Sequence, residues 1–169
     1  MPSSSATSLT ISTTSCWRSL LLGSLANISL PFELCSSSYK LWQSYLTFYE
    51  TRLPPSTTEK TWRNLLDDDM PIYGFGAWQD EMLVGITHVV LHPNTWNTTE
   101  CCYLEDLYVS EVVRGRGVGR ALIEQVYEFA NEKNCNRVYW TTQEDNATAR
   151  NLYDVIATQT DMVQYRKDL

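Results

Sequence analysis

The residues whose types and spacing could do chemistry gather in residues 103–130, YLEDLYVSEVVRGRGVGRALIEQVYEFA. Gly115, Gly117 and Gly119 alternate with other residues after an apolar run and before a helical pattern. Such a turn leaves backbone N–H groups bare at the positive end of a helix, where a phosphate or pyrophosphate binds. Arg114, Arg116 and Arg120 add positive charge around it. The spacing disfavours both common nucleotide loops. A dinucleotide turn needs a glycine three residues after the second one, where Arg120 stands, and a P-loop needs Gly-Lys-Ser/Thr, which is absent. Just upstream, Glu105 and Asp106 are neighbours in a strand pattern, so they point to opposite faces unless a bulge intervenes.

These groups sit in a chain of 169 residues, 43% hydrophobic, which is one ordinary domain. A net charge of -7 argues against nucleic acid as a partner and suits cationic substrates. The five cysteines, Cys16, Cys35, Cys101, Cys102 and Cys135, include no C-x-x-C pair, so neither a zinc site nor a disulfide framework is expected. Cys101 and Cys102 read as core residues rather than nucleophiles. His88 and His92 lie on an alternating strand without an accompanying carboxylate motif and read as structural, so no metal is expected. No apolar run approaches membrane length, and the cytoplasm, with the nucleus as an alternative, is the expected location.

The elements that must position the site follow from periodicity and punctuation. Residues 1–38 form a Ser/Thr-rich leader, expected to be partly disordered with one strand around residues 28–34. A short secretory or transit segment is the weaker alternative for that leader. The folded domain is expected over residues 39–169. SYKLWQSYLTFYE predicts a helix capped by Ser38 and stopped by Pro54 and Pro55. STTEKTWRNLLDD predicts a second helix with capping-box spacing from Ser56 to Glu59. IYGFGAW and MLVGITHVVLH predict a hairpin turning at residues 79–81, and CCYLEDLYV a further strand. Val118, Leu122, Val126 and Ala130 predict a helix after the glycines. RVYWTT, NATARNLYDVIA and DMVQYRK predict a strand, a helix and a terminal strand. Strand, helix, strand is one parallel crossover, so the class is mixed α/β: a mostly antiparallel sheet with one βαβ unit, flanked by helices.

Taken in order, YLEDLYV, Arg-x-x-Gly-x-Gly at residues 114–119 and NATARNLY resemble the signature of the GNAT superfamily of N-acetyltransferases. Within it, the wording is similar to the yeast histone, polyamine and D-amino-acid acetyltransferase group and to diamine acetyltransferases. The resemblance implies the GNAT fold and acetyl-CoA as co-substrate. Its pyrophosphate would rest on Arg114, Gly115, Arg116, Gly117, Val118, Gly119 and Arg120, with Asn146 as a further contact. Leu107, Tyr108 and Val109 would hold the pantetheine, and the backbone amide near Val109 would polarise the thioester. Tyr153 matches the general acid, and Glu105 and Asp106 match carboxylates that anchor or deprotonate a cationic amine. Tyr49, Glu50 and Trp96 match acceptor-contacting positions. The implied reaction moves acetyl directly to a primary amine of a polyamine, an amino acid or a lysine in a peptide, without a covalent enzyme intermediate. The resemblance also raises a homodimer. Two departures stand out: the leader lacks the usual first-strand pattern, and Asp161-Met162 replaces a Gly-aromatic pair. The first admits an alternative, an acyl-CoA-binding protein whose acceptor site is disrupted and which does not catalyse.

Overall fold

A computed structural model describes residues 9–13, 32–80 and 82–169. In chain order the elements are β1 (Leu9–Thr13), α1 (Phe32–Phe48), α2 (Pro55–Leu66), β2 (Ile72–Gln79), β3 (Met82–His92), β4 (Cys101–Val109), α3 (Val118–Glu132), β5 (Arg137–Tyr139) and α4 (Ala147–Ile156), with a 3-10 turn at Glu111–Val113 before α3. The strands form one sheet in the order β1-β2-β3-β4-β5. Neighbours are antiparallel up to β4, and β5 runs parallel to β4 after the α3 crossover. This is the mixed α/β architecture that the periodicities predict.

Two apolar layers cover the sheet. On one face α3 buries Val118, Leu122, Ile123, Val126, Phe129 and Ala130, spaced three and four apart, against Phe75, Ala77, Val84, Val89 and Leu104. On the other, Leu41, Trp42 and Leu46 of α1 meet Leu83, Ile86 and Tyr108. Trp42 Nε1 donates to Thr58 Oγ1 at 3.2 Å, tying α1 to α2.

The first turn of α3 crosses β3 at Gly85. A Cβ there would lie 3.0 Å from Leu122 Cδ1, 3.2 Å from Val118 Cγ1 and 3.3 Å from the Tyr108 carbonyl. The helix can approach this closely only because the side chain is missing. Gly85→Ala is therefore expected to destabilise the fold by about 1–3 kcal/mol through overpacking, read as a lower midpoint in urea at unchanged slope.

Several elements differ from expectation. Phe32, Glu33 and Leu34 open α1 rather than end a strand, while residues 28–31 lie outside the described residues. A short apolar run reads equally as strand or helix until its neighbours decide. Ser38 accordingly lies buried inside α1 instead of capping it. The edge strand is LTIST at Leu9–Thr13, in register from Leu9 opposite Gln79 to Thr13 opposite Phe75. The capping box at Ser56 does not form, because Pro55 presets the helical φ and starts α2 two residues earlier, with Pro54 as an N-cap that supplies no side-chain bond. RVYWTT is a strand only over Arg137–Tyr139, and residues 157–169 join no helix or strand. An alternating run becomes a strand only where a sheet edge accepts its backbone, and β5 offers three residues.

Candidate active site

The turn before α3 has the backbone its glycines allow. Gly115 and Gly117 take φ of 76° and 85°, in the left-handed region that side chains disfavour, and a Cβ on either would meet nothing within 4 Å. Gly117 is the N-cap of α3 and supplies no side-chain bond, so the first-turn N–H groups of a 15-residue helix face outward uncapped. That is an anion site by geometry and dipole together.

Beside it, β4 has an open edge. β5 pairs with it only from Cys101 to Tyr103, and residues 104–109 continue against β3 alone. Ser110 N–H donates to the Val84 carbonyl at 2.8 Å, and Val109 stands opposite Gly85. Antiparallel pairs alternate between bonded and non-bonded, so Leu107 and Val109 turn their N–H and C=O groups away from β3 toward the open side. The Val109 carbonyl accepts from Arg114 Nε at 3.1 Å. One cleft of about 500 Å³ is lined by Leu107, Tyr108 and Val109, by Gly115, Gly117 and Gly119, by Arg114 and Arg120, by Asn146, Leu152 and Tyr153, and by Phe48 and Tyr49.

Tyr153 comes from α4, a helix with no buried residue, so a few contacts hold it in place. Its ring meets Trp140 edge-on with centroids 5.2 Å apart, and Tyr127 Oη bonds the Ile156 carbonyl at 3.1 Å. Burial, with the Tyr49 hydroxyl adding to it, pushes Tyr153 up to about 12. The phenol therefore keeps its proton at neutral pH. Asn146 caps α4, accepting from Ala149 N–H at 3.4 Å while its amide donates to Thr142 Oγ1 at 3.2 Å.

The two acids do not alternate. Leu104 packs toward α3, whereas Asp106, two residues on, faces α1, because the register slips between His88 and Val89 and Glu105 is the extra residue of a bulge. Asp106 Oδ2 lies 2.9 Å from His88 Nδ1. Glu105 reaches solvent, and its carboxyl is raised by partial burial and then by the Asp106 charge, with His88 offsetting part.

Residues 38–155 match the Acetyltransferase (GNAT) family. The chain belongs to that family. It is 37% identical over 131 residues to a D-amino-acid N-acetyltransferase of Saccharomyces cerevisiae, a match covering 76% of this chain and 81% of that one. A thialysine N-epsilon-acetyltransferase of Mus musculus is 34% identical over 84 residues, 50% of this chain and 49% of its own. Among solved structures, a ribosomal-protein-alanine N-acetyltransferase from Brucella melitensis biovar Abortus 2308 superposes with a TM-score of 0.69 at 20% identity, over 96% of this chain and 100% of that one. An aminoglycoside N-acetyltransferase in complex with CoA gives 0.68 at 16% identity, over 96% of each chain. At those identities the structures speak for the GNAT fold.

Within this GNAT domain not every expected site residue reaches the cleft. Arg116 is exposed and outside its lining, and Glu105 and Asp106 are not among the lining residues either. Trp96 is 87% exposed in the loop after β3, its N–H bonded to Asn94 Oδ1. Glu50 closes α1 with φ of 50°, and Thr51 N–H reaches back to the Leu46 carbonyl at 2.9 Å, which is a Schellman turn. Its place reflects helix termination. Arg114 is braced between the Phe48 and Tyr108 rings, 5.6 Å from each centroid. Sequence reasoning missed Phe48, Leu152 and the Tyr45 contact to Asp106. The four-residue spacing of Tyr45 and Tyr49 on one helix was the signal available for the last.

Proposed function

We propose that this protein transfers the acetyl group of acetyl-CoA directly to a primary amine of an amino acid, a polyamine or a lysine side chain. The observation that supports it is that the uncapped start of α3, the open edge of β4 and Tyr153 line one cleft. The chain fits the co-substrate there: the glycine turn faces open space, and Leu107 and Val109 offer backbone groups that no strand uses. Bound acetyl-CoA would supply an activated acetyl thioester.

In this reading the turn amides of residues 115–120, with Arg120, hold the pyrophosphate, and Arg114 braces the turn onto β4 through the Val109 carbonyl. The Val109 N–H, on the open side of β4, would stabilise negative charge developing on a carbonyl oxygen. Tyr153 donates its proton to the departing sulfur. Glu105 and Asp106 anchor the ammonium form of the acceptor, which attacks as the neutral amine once its proton has passed to the bulk solvent, since even a raised carboxyl lies well below an amine in pKa. The D-amino-acid and thialysine acetyltransferases among the relatives favour an amino-acid acceptor. Among the described residues no helix is long and apolar enough to cross a membrane.

Thiol release from acetyl-CoA, measured against D- and L-amino acids, thialysine, spermidine, diamines and a histone-tail peptide, tests this reading. Turnover is expected with at least one amine, carboxylate-bearing acceptors first. Acetyl-CoA binding without turnover would instead support the non-catalytic alternative, and no binding would remove the cleft assignment.

A further inference from the structure

His88 is only 5% exposed, with the rings of Trp42 and Trp62 centred 5.8 and 6.0 Å away. Burying an imidazole and a carboxylate in such surroundings costs more than burying two apolar side chains of like size, so fold stability alone does not account for the pair. Its place in the sheet does. Asp106 follows the bulged residue Glu105, and it is held two ways. Thr87 Oγ1 donates to its carbonyl at 2.7 Å and His88 Nδ1 meets its carboxylate at 2.9 Å, with the Tyr45 hydroxyl facing the same carboxylate. With Asp106 fixed on the α1 side, the preceding peptide has little freedom, and Glu105 is carried outward beside it. Tyr49 connects this network to the cleft, because it lines the cleft and its ring packs on Tyr45 at 5.0 Å.

We infer that His88 is a positioning residue for the acceptor: acting through Asp106, it fixes the β4 bulge and so sets the carboxylate of Glu105 where a cationic amine is taken up. The inference rests on the amine-accepting reading above. It separates amine recognition, which depends on the His88 to Asp106 bond, from acetyl-CoA binding, which does not.

Steady-state kinetics with the best amine of the panel, varying each substrate in turn, test it. His88→Leu is expected to raise the amine KM about ten-fold, the worth of a hydrogen bond to a charged group, while the acetyl-CoA affinity measured by calorimetry stays within about two-fold. His88→Asn puts an amide N–H at the position of Nδ1 and is expected to return most of the loss. An unchanged amine KM in His88→Leu, or equal loss in both variants, would overturn the inference. Should His88→Leu not fold, the nearly isosteric Tyr45→Phe removes the hydroxyl that faces the same carboxylate. It is expected to raise the amine KM several-fold, and no change there overturns the inference equally. A wild type that turns over no amine would defeat the underlying reading, a result distinct from an active wild type indifferent to His88.

Discussion

Gly117→Glu is expected to weaken acetyl-CoA binding by at least about 100-fold, close to 2.7 kcal/mol, without unfolding the protein. Two effects add. The residue sits at φ of 85°, where any side chain costs about 1–2 kcal/mol. The new carboxylate would also project from the N-cap of α3 into the space the glycine leaves open, satisfying the first-turn N–H groups and repelling a second anion there. Because a Cβ at Gly117 meets nothing within 4 Å, the change is not an overpacking one, and the melting midpoint should fall only by the few degrees that the backbone strain accounts for. Gly117→Ala separates the contributions: it keeps the backbone strain without the charge and should lose far less affinity. Calorimetric titration of the three proteins with acetyl-CoA decides the matter. Affinity retained within a few-fold in Gly117→Glu would remove the pyrophosphate from this turn.

That turn is legible in the amino-acid sequence because its requirements are local. Left-handed φ at Gly115 and Gly117 and the four-residue recurrence of Val118, Leu122, Val126 and Ala130 are each written into a few consecutive residues. The bulge at Glu105 is not. LEDLYV sets two acids side by side before three apolar residues, a run that fixes no register by itself, and only the partner strand, through the bond of His88 to Asp106 across 18 residues, shows where the register slips. The two acids therefore look opposed in the sequence when they are neighbours in the fold. Gly85 is silent for the same reason, since its need for a missing side chain comes from α3, a distant part of the chain. Trp96 and Glu50 match acceptor positions only by resemblance, and the backbone puts one in solvent and the other at a helix stop. DMVQYRK carries a strand signal yet joins no strand, whereas the edge strand LTIST lies in the stretch whose composition reads as a leader.

Tyr153→Phe is expected to lower kcat by about 100-fold or more, the range of a positioned general acid, with acetyl-CoA affinity nearly unchanged. The substitution keeps the ring and its edge contact with Trp140, and it leaves the turn amides and the Asn146 cap of α4 in place. What it removes is one proton, and the environment says how that proton is used. With the hydroxyl pushed up to about 12, chiefly by burial, Tyr153 stays a phenol through the working range and acts as a donor. Wild type and variant should then show parallel pH profiles from about pH 7 to about pH 10, with no limb belonging to Tyr153. A Tyr153 acting as a base through its phenolate would give the opposite: a wild-type rate climbing about ten-fold per pH unit toward 12, and a variant that does not climb. Unchanged kcat in the variant would take the acid role away from Tyr153 altogether.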